Sequence, residues 1–160
     1  DWSSDVCSSD LRVMRAPGAR ARLAGGRACG RGEERIVPVV VSIAVGGALG
    51  SLLRYWLSTW VTQATRLGGT GTLAVNLIGA FGLGLLLGLI QSRFPTIPRF
   101  VASGIGVGVF GGFTTFSSFM WDVVEHAEAG RLFVATLLLL VTVVVGLLAM
   151  VAGVTLGRAA

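Results

Sequence analysis

The sequence predicts an all-α membrane protein of four transmembrane helices with the third helix broken near its middle, and three observations carry that reading. Of 160 residues, 53% are hydrophobic and 13% charged, with a mean hydropathy of +0.79, a composition suited to lipid. From residue 36 onward come four apolar runs, each long enough for a hydrocarbon core that takes about 20 helical residues to cross. Within the third run, Gly111-Gly112-Phe113-Thr114-Thr115-Phe116-Ser117-Ser118-Phe119 places two glycines and four hydroxyls where a plain lipid-facing helix has no use for them. An unpaired backbone group in the bilayer core costs several kcal/mol, so a helix break there is tolerated only where protein buries it or it lines a cavity. The break is therefore expected to mark a site.

Residues 1–35 read differently from the rest, being rich in Ser, Gly, Arg and Asp with no periodic apolar pattern, and are expected to be disordered. The opening run, residues 1–11, looks more like translated adapter sequence than a natural leader, and Met14 is a candidate start. No compact apolar run with a small-residue cleavage site precedes Ile36, so a signal peptide is not expected. All 13 basic residues are arginine and seven fall in residues 1–35, a block that reads as a solvated tail and not as a nucleic-acid reader. Cys7 and Cys29 both lie there too, which argues against a disulfide framework or a metal cluster in the apolar part. Residues 36–160 are taken as one transmembrane domain.

The first span is expected over 36–60, with Tyr55, Trp56 and Trp60 near its end in the interfacial aromatic belt. The second covers 72–90, the third starts after Pro98 and ends near Trp121, and the fourth covers 132–156. Polar connections over 62–71, 91–98 and 122–131 are too short to hold another domain. Gly46 and Gly50, Gly84 and Gly88, and Gly104, Gly108 and Gly112 recur at four-residue spacing, which lets helix backbones approach closely in lipid. Phe116 and Phe119, three apart, share a face if the chain is helical beyond the break.

Loop arginines set orientation, and here they barely do so. One side carries Arg35, Arg93, Arg99 and Arg158, the other Arg66 and Arg131 with Arg54 close by. So weak a bias permits insertion both ways and hence an antiparallel two-fold dimer, although the Arg-rich leader would favour a single orientation. No Asp or Glu stands between Arg35 and Asp122, and Asp122, Glu125 and Glu128 close the third span. Proton- or cation-coupled pumps normally use a membrane carboxylate, so its absence weighs against small coupled exporters and suits an anion path.

Few polar residues remain inside the spans. Asn76 is read either as an interhelical hydrogen bond or as part of a pore. Arg54 is read as snorkelling to the interface or as drawing anions to a pore mouth. Thr142 is expected to bond its own helix backbone, and His126 to be a solvated loop residue. Nothing in the spans resembles an acid/base pair, an activated nucleophile or a metal-ligand cluster, so no enzyme is expected.

Three segments, Gly-Ala-Leu-Gly-Ser-Leu-Leu-Arg-Tyr at 47–55, Gly-Thr-Leu-Ala-Val-Asn-Leu-Ile-Gly at 71–79 and Gly-Gly-Phe-Thr-Thr-Phe-Ser-Ser-Phe at 111–119, resemble the fluoride channels called Fluc or CrcB. The likeness runs over 39–157 in order. It implies passive export of cytoplasmic fluoride across a bacterial inner membrane, relieving fluoride toxicity. It also implies a dual-topology antiparallel homodimer with two pores, or a heterodimer with a paired homologue, around a structural sodium ion that is not transported.

By that resemblance the backbone carbonyls of Gly111 and Thr114 would hold the sodium. Phe116 and Phe119 would present ring edges to fluoride, Asn76 and Ser117 would donate hydrogen bonds, Thr72 and Thr142 would extend a polar track, and Arg54 would stand at the vestibule. Leu138 departs from the family, where a polar residue often stands one turn before the Thr142 position. A small coupled exporter and a non-transporting membrane scaffold are the alternatives.

Overall fold

A computed structural model describes the backbone over residues 30–160 and side chains from Ile36 onward; the leader expected over 1–35, with its candidate start at Met14, lies outside the described side chains. The described chain is all helical. Helix α1 runs Gly30–Thr65, α2 Thr70–Ser92, α3 Arg99–Ser103, a π-helical segment Gly104–Phe110, α4 Gly111–Phe113, α5 Phe116–Glu128 and α6 Leu132–Ala159. Segments α3 to α5 follow one another as a single interrupted span, Arg99–Glu128, which with Ile36–Thr65, Thr70–Ser92 and Leu132–Ala159 gives four helices long and apolar enough to cross a membrane.

The expected break is present. Thr114 (φ −81°, ψ 157°) and Thr115 (φ −149°, ψ 122°) are extended, separating α4 from α5 halfway along the 30-residue span. Two features of this span differ from expectation. The helix does not end near Trp121 but continues to Glu128, so the connection expected over 122–131 shrinks to residues 129–131. Within α5, Glu125 and Glu128 are exposed, while Asp122 lies on the side of buried Phe119 and His126 and its Oδ2 is buried without a partner among the described residues. The second difference is the π-helical stretch ahead of the break, where the run of small residues at Gly104, Gly106 and Gly108 tolerates a widened turn.

Backbone-to-backbone packing explains the glycine spacing. A Cβ on Gly46 or Gly50 would overlap the backbone of the third span at Gly104 and Val109, so α1 lies directly against it. Gly84 and Gly88 of α2 meet the backbone of α6 at Met150 and Val154, while Gly153 and Gly157 of α6 reciprocate against Phe81 and Leu85. Side-chain hydroxyls tie the same pairs across: Ser42 Oγ donates to the Phe100 carbonyl at 2.7 Å and Ser92 Oγ to the Gly157 carbonyl at 2.9 Å. The outer faces remain apolar and exposed, as at Trp56, Leu147 and Leu148, which suits lipid.

Two polar residues are not where the sequence puts them. His126 is buried (6% exposed) in α5, not solvated in a loop, and its Nε2–H donates to the Gly68 carbonyl at 3.1 Å, pinning the α1–α2 connection. Thr142 Oγ1 makes no bond to its own helix; it is buried without a partner among the described residues. Leu138, the departure from the family pattern, is also buried, and its Cδ2 would lie 2.9 Å from a Cβ built on Gly69. Gly69 itself sits at φ 83°, where the chain turns into α2.

Candidate functional site

The site is built on the break. In an unbroken α-helix the Gly111 carbonyl accepts from the Thr115 N–H and the Thr114 carbonyl from the Ser118 N–H. Here Thr115 N–H donates instead to Asn76 Oδ1 at 2.8 Å, and Ser118 N–H to Thr115 Oγ1 at 3.3 Å. Asn76 closes a second bond, its Nδ2 donating to the Thr115 carbonyl at 2.9 Å. The side-chain amide thus takes the place of a neighbouring strand for one extended residue. Thr115, buried at 8% exposure, is the N-cap of α5 and also donates from Oγ1 to Ser118 Oγ at 3.1 Å. Thr114 turns the other way, its N–H and Oγ1 both donating to the Phe110 carbonyl at 3.0 Å.

Around this break the expected residues separate into two groups. Phe116 and Phe119 meet edge to face with centroids 6.2 Å apart, as their spacing predicts, but Phe119 is buried and Phe116 is 73% exposed. Gly111, Ser117 and Ser118 are exposed as well, and a Cβ on Gly111 would meet nothing within 4 Å. Glycine, hydroxyls and a phenyl ring therefore face outward at mid-span.

Arg54 and Thr72 come together elsewhere, lining a polar cleft of about 220 Å³ with Ser51, Tyr55, Ser58, Val75, Thr115 and Ser118. Half-buried Arg54 is the one charged group on this wall, so the cleft favours anions. Thr115 and Ser118 connect the cleft to the break. Asn76 lies one helical turn beyond Thr72 on α2. Thr142, on α6, does not line the cleft.

Sequence reasoning passed over Thr115 and Ser118. Their signal was available in the Thr-x-x-Ser spacing that opens α5, a pattern in which the first hydroxyl accepts from a backbone N–H three residues on. Ser51 and Ser58 are one helical face with Arg54 and were also legible by period. No group of three or more metal-ligating His, Cys, Asp or Glu side chains occurs among the described residues.

Comparison with known proteins bears directly on this arrangement. The family model described as "CrcB-like protein, Camphor Resistance (CrcB)" matches residues 41–154. The chain is 43% identical over 124 residues to the "Fluoride-specific ion channel FluC" of Pseudomonas fluorescens, covering 77% of this chain and 99% of that protein. Its likeness to the protein of the same description from Agrobacterium fabrum is 41% over 123 residues, covering 74% and 95%, and to that from Chloroflexus aurantiacus 39% over 122 residues, covering 74% and 94%. With four membrane-crossing helices and a family match that takes in α2, the break and most of α6, the chain is a multi-pass membrane protein of the CrcB-like family, a family of ion channels and not of enzymes.

Proposed function

We propose that the protein is a passive, fluoride-selective channel that lets cytoplasmic fluoride leave a bacterial cell across its inner membrane, working as an antiparallel dual-topology dimer. The observation that carries the reading is the polar break at mid-span, clamped by Asn76 and open to the outside of the single chain at Gly111, Phe116, Ser117 and Ser118. Exposed backbone and hydroxyls at that depth are stable in lipid only when protein or a water-filled path covers them. A second copy inserted upside down supplies the cover, and the near-balanced loop arginines allow it.

Fluoride holds its water tightly, so a selective path has to replace that water with hydrogen-bond donors. Ser117 and Thr72 offer hydroxyls, Thr142 a hydroxyl with no partner among the described residues, and Asn76 the one Nδ2 hydrogen not engaged by Thr115. The ring edges of Phe116 and Phe119 carry the positive rim of the aromatic quadrupole and face an anion favourably. Arg54 in the polar cleft raises the local anion concentration at the vestibule. The only acidic residues of the four spans stand in the last two turns of α5, away from the break, which disfavours a coupled exporter.

A structural sodium ion fits the donor set at the break. Gly111 and Thr114 have lost their helical N–H partners, and unwound carbonyls are the oxygens that a hard monovalent cation takes in membrane proteins. When bound, the ion would neutralise the partial negative charge of these oxygens between two subunits.

The direct test is fluoride release from liposomes holding the purified protein, started with valinomycin and followed with a fluoride electrode beside a chloride control. Rapid fluoride loss with chloride retained is expected. Retention of fluoride by folded protein, both alone and with a paired homologue added, would overturn the reading; release only with the homologue would establish a heterodimer.

A further inference from the structure

We infer that Asn76 and Thr115 are positioning residues that create the cation site, by diverting the two N–H groups that would otherwise cap the Gly111 and Thr114 carbonyls. The inference rests on the sodium reading above and concerns how the chain makes its ligands. Peptide carbonyls in a helix are poor cation ligands because each is already committed to an N–H four residues on. Freeing them requires that the displaced N–H groups find other acceptors, since a buried orphan donor costs about 1–3 kcal/mol. The structure supplies one acceptor for each. Asn76 Oδ1 takes the Thr115 N–H at 2.8 Å, releasing the Gly111 oxygen, and Thr115 Oγ1 takes the Ser118 N–H at 3.3 Å, releasing the Thr114 oxygen.

The amide does more than accept. Its Nδ2 donates to the Thr115 carbonyl at 2.9 Å, so Thr115 is held at both ends in the extended conformation (φ −149°, ψ 122°) that keeps α4 and α5 apart. This geometry also fixes the amide itself, leaving a single Nδ2 hydrogen for an anion. Cation site and anion path therefore share one side chain, and loss of the clamp affects both.

A pore donor and a positioning residue are separated by sodium dependence. The readout is the sodium concentration at half-maximal protection against thermal unfolding of the purified protein in detergent, with N-methylglucamine replacing sodium at constant ionic strength. Thr115→Val keeps the side-chain shape and removes the acceptor; Asn76→Leu removes the whole clamp. Thr115→Val is expected to raise the midpoint about tenfold, the equivalent of one net hydrogen bond, and Asn76→Leu, which removes two, to raise it further. Thr115→Ser restores the hydroxyl and is expected to return the midpoint to the wild-type value, which separates positioning from general destabilisation. A wild-type midpoint in Thr115→Val overturns the inference and leaves the sodium reading standing. Absence of any sodium response in the wild-type protein overturns both, while fluoride release from liposomes reports independently on the channel reading.

Discussion

Phe116 and Phe119 touch edge to face at 6.2 Å, yet one ring is 73% exposed and the other 3%. A pair so unevenly buried holds one member against the fold and offers the other outward, as a lining for whatever packs or passes there. The two positions therefore respond differently to the same substitution.

Phe116→Ile removes an exposed ring whose edge contact is worth about 0.5–1.5 kcal/mol, so the fold is retained. Fluoride efflux from liposomes is expected to fall to the level of empty vesicles, while the melting temperature moves by a few degrees. Phe119→Ile is expected to cost about 1–3 kcal/mol of stability through repacking of a buried site. Wild-type efflux from Phe116→Ile would take that ring out of the path.

Asn76→Asp keeps one oxygen for the Thr115 N–H but sets a carboxylate against the Thr115 carbonyl, where an N–H now donates. Two acceptors face each other, at a cost of about 1–3 kcal/mol. An anion is also placed in a proposed anion path, so efflux is expected to collapse at neutral pH. Thermal melts and efflux measured on one preparation check both effects; unchanged conduction would assign Asn76 to packing alone.

The tight backbone approach of α1 to the third span gives an internal control. Gly50→Ala drives a Cβ into the Val109 carbonyl and to 2.9 Å from the Phe113 nitrogen, so a helix has to move, at about 1–3 kcal/mol. Gly47→Ala meets only the Gly108 oxygen at 4.0 Å, and is expected to be neutral or stabilising by up to about 1 kcal/mol through helix propensity. Equal melting temperatures for the two variants would contradict this packing.

The periods of the sequence made the four spans, the break and the phenylalanine pair legible, because each depends on residues near one another in the chain. What escaped was long-range. Asn76 and Thr115 are 39 residues apart, and nothing local distinguishes a clamp from a pore donor. His126 reads as a loop residue because it stands alone near the expected end of the third span, while its partner, Gly68, is 58 residues away. Thr142 reads as bonding its own backbone, the usual habit of a helical threonine, but its hydroxyl is buried without a partner among the described residues. The π-helical turn before the break has no propensity signature beyond its glycines.

Gly111 tests the proposed dimer. Within one chain a Cβ at this position meets nothing within 4 Å, so Gly111→Ala leaves the protomer intact and adds helix propensity worth up to about 1 kcal/mol. A second copy packed against the break would lack room for the added methyl, in the way that glycines elsewhere in this fold hold backbones in contact. The expected outcome is a protein with unchanged helicity whose dimer dissociates at higher concentration in lipid, followed by cross-linking or photobleaching across a dilution series. Efflux per protein falls with it under dilute conditions and recovers at high protein-to-lipid ratio. An unchanged dissociation constant would mean that the partner does not cover Gly111, and the polar break would then have to be shielded by a water-filled path alone.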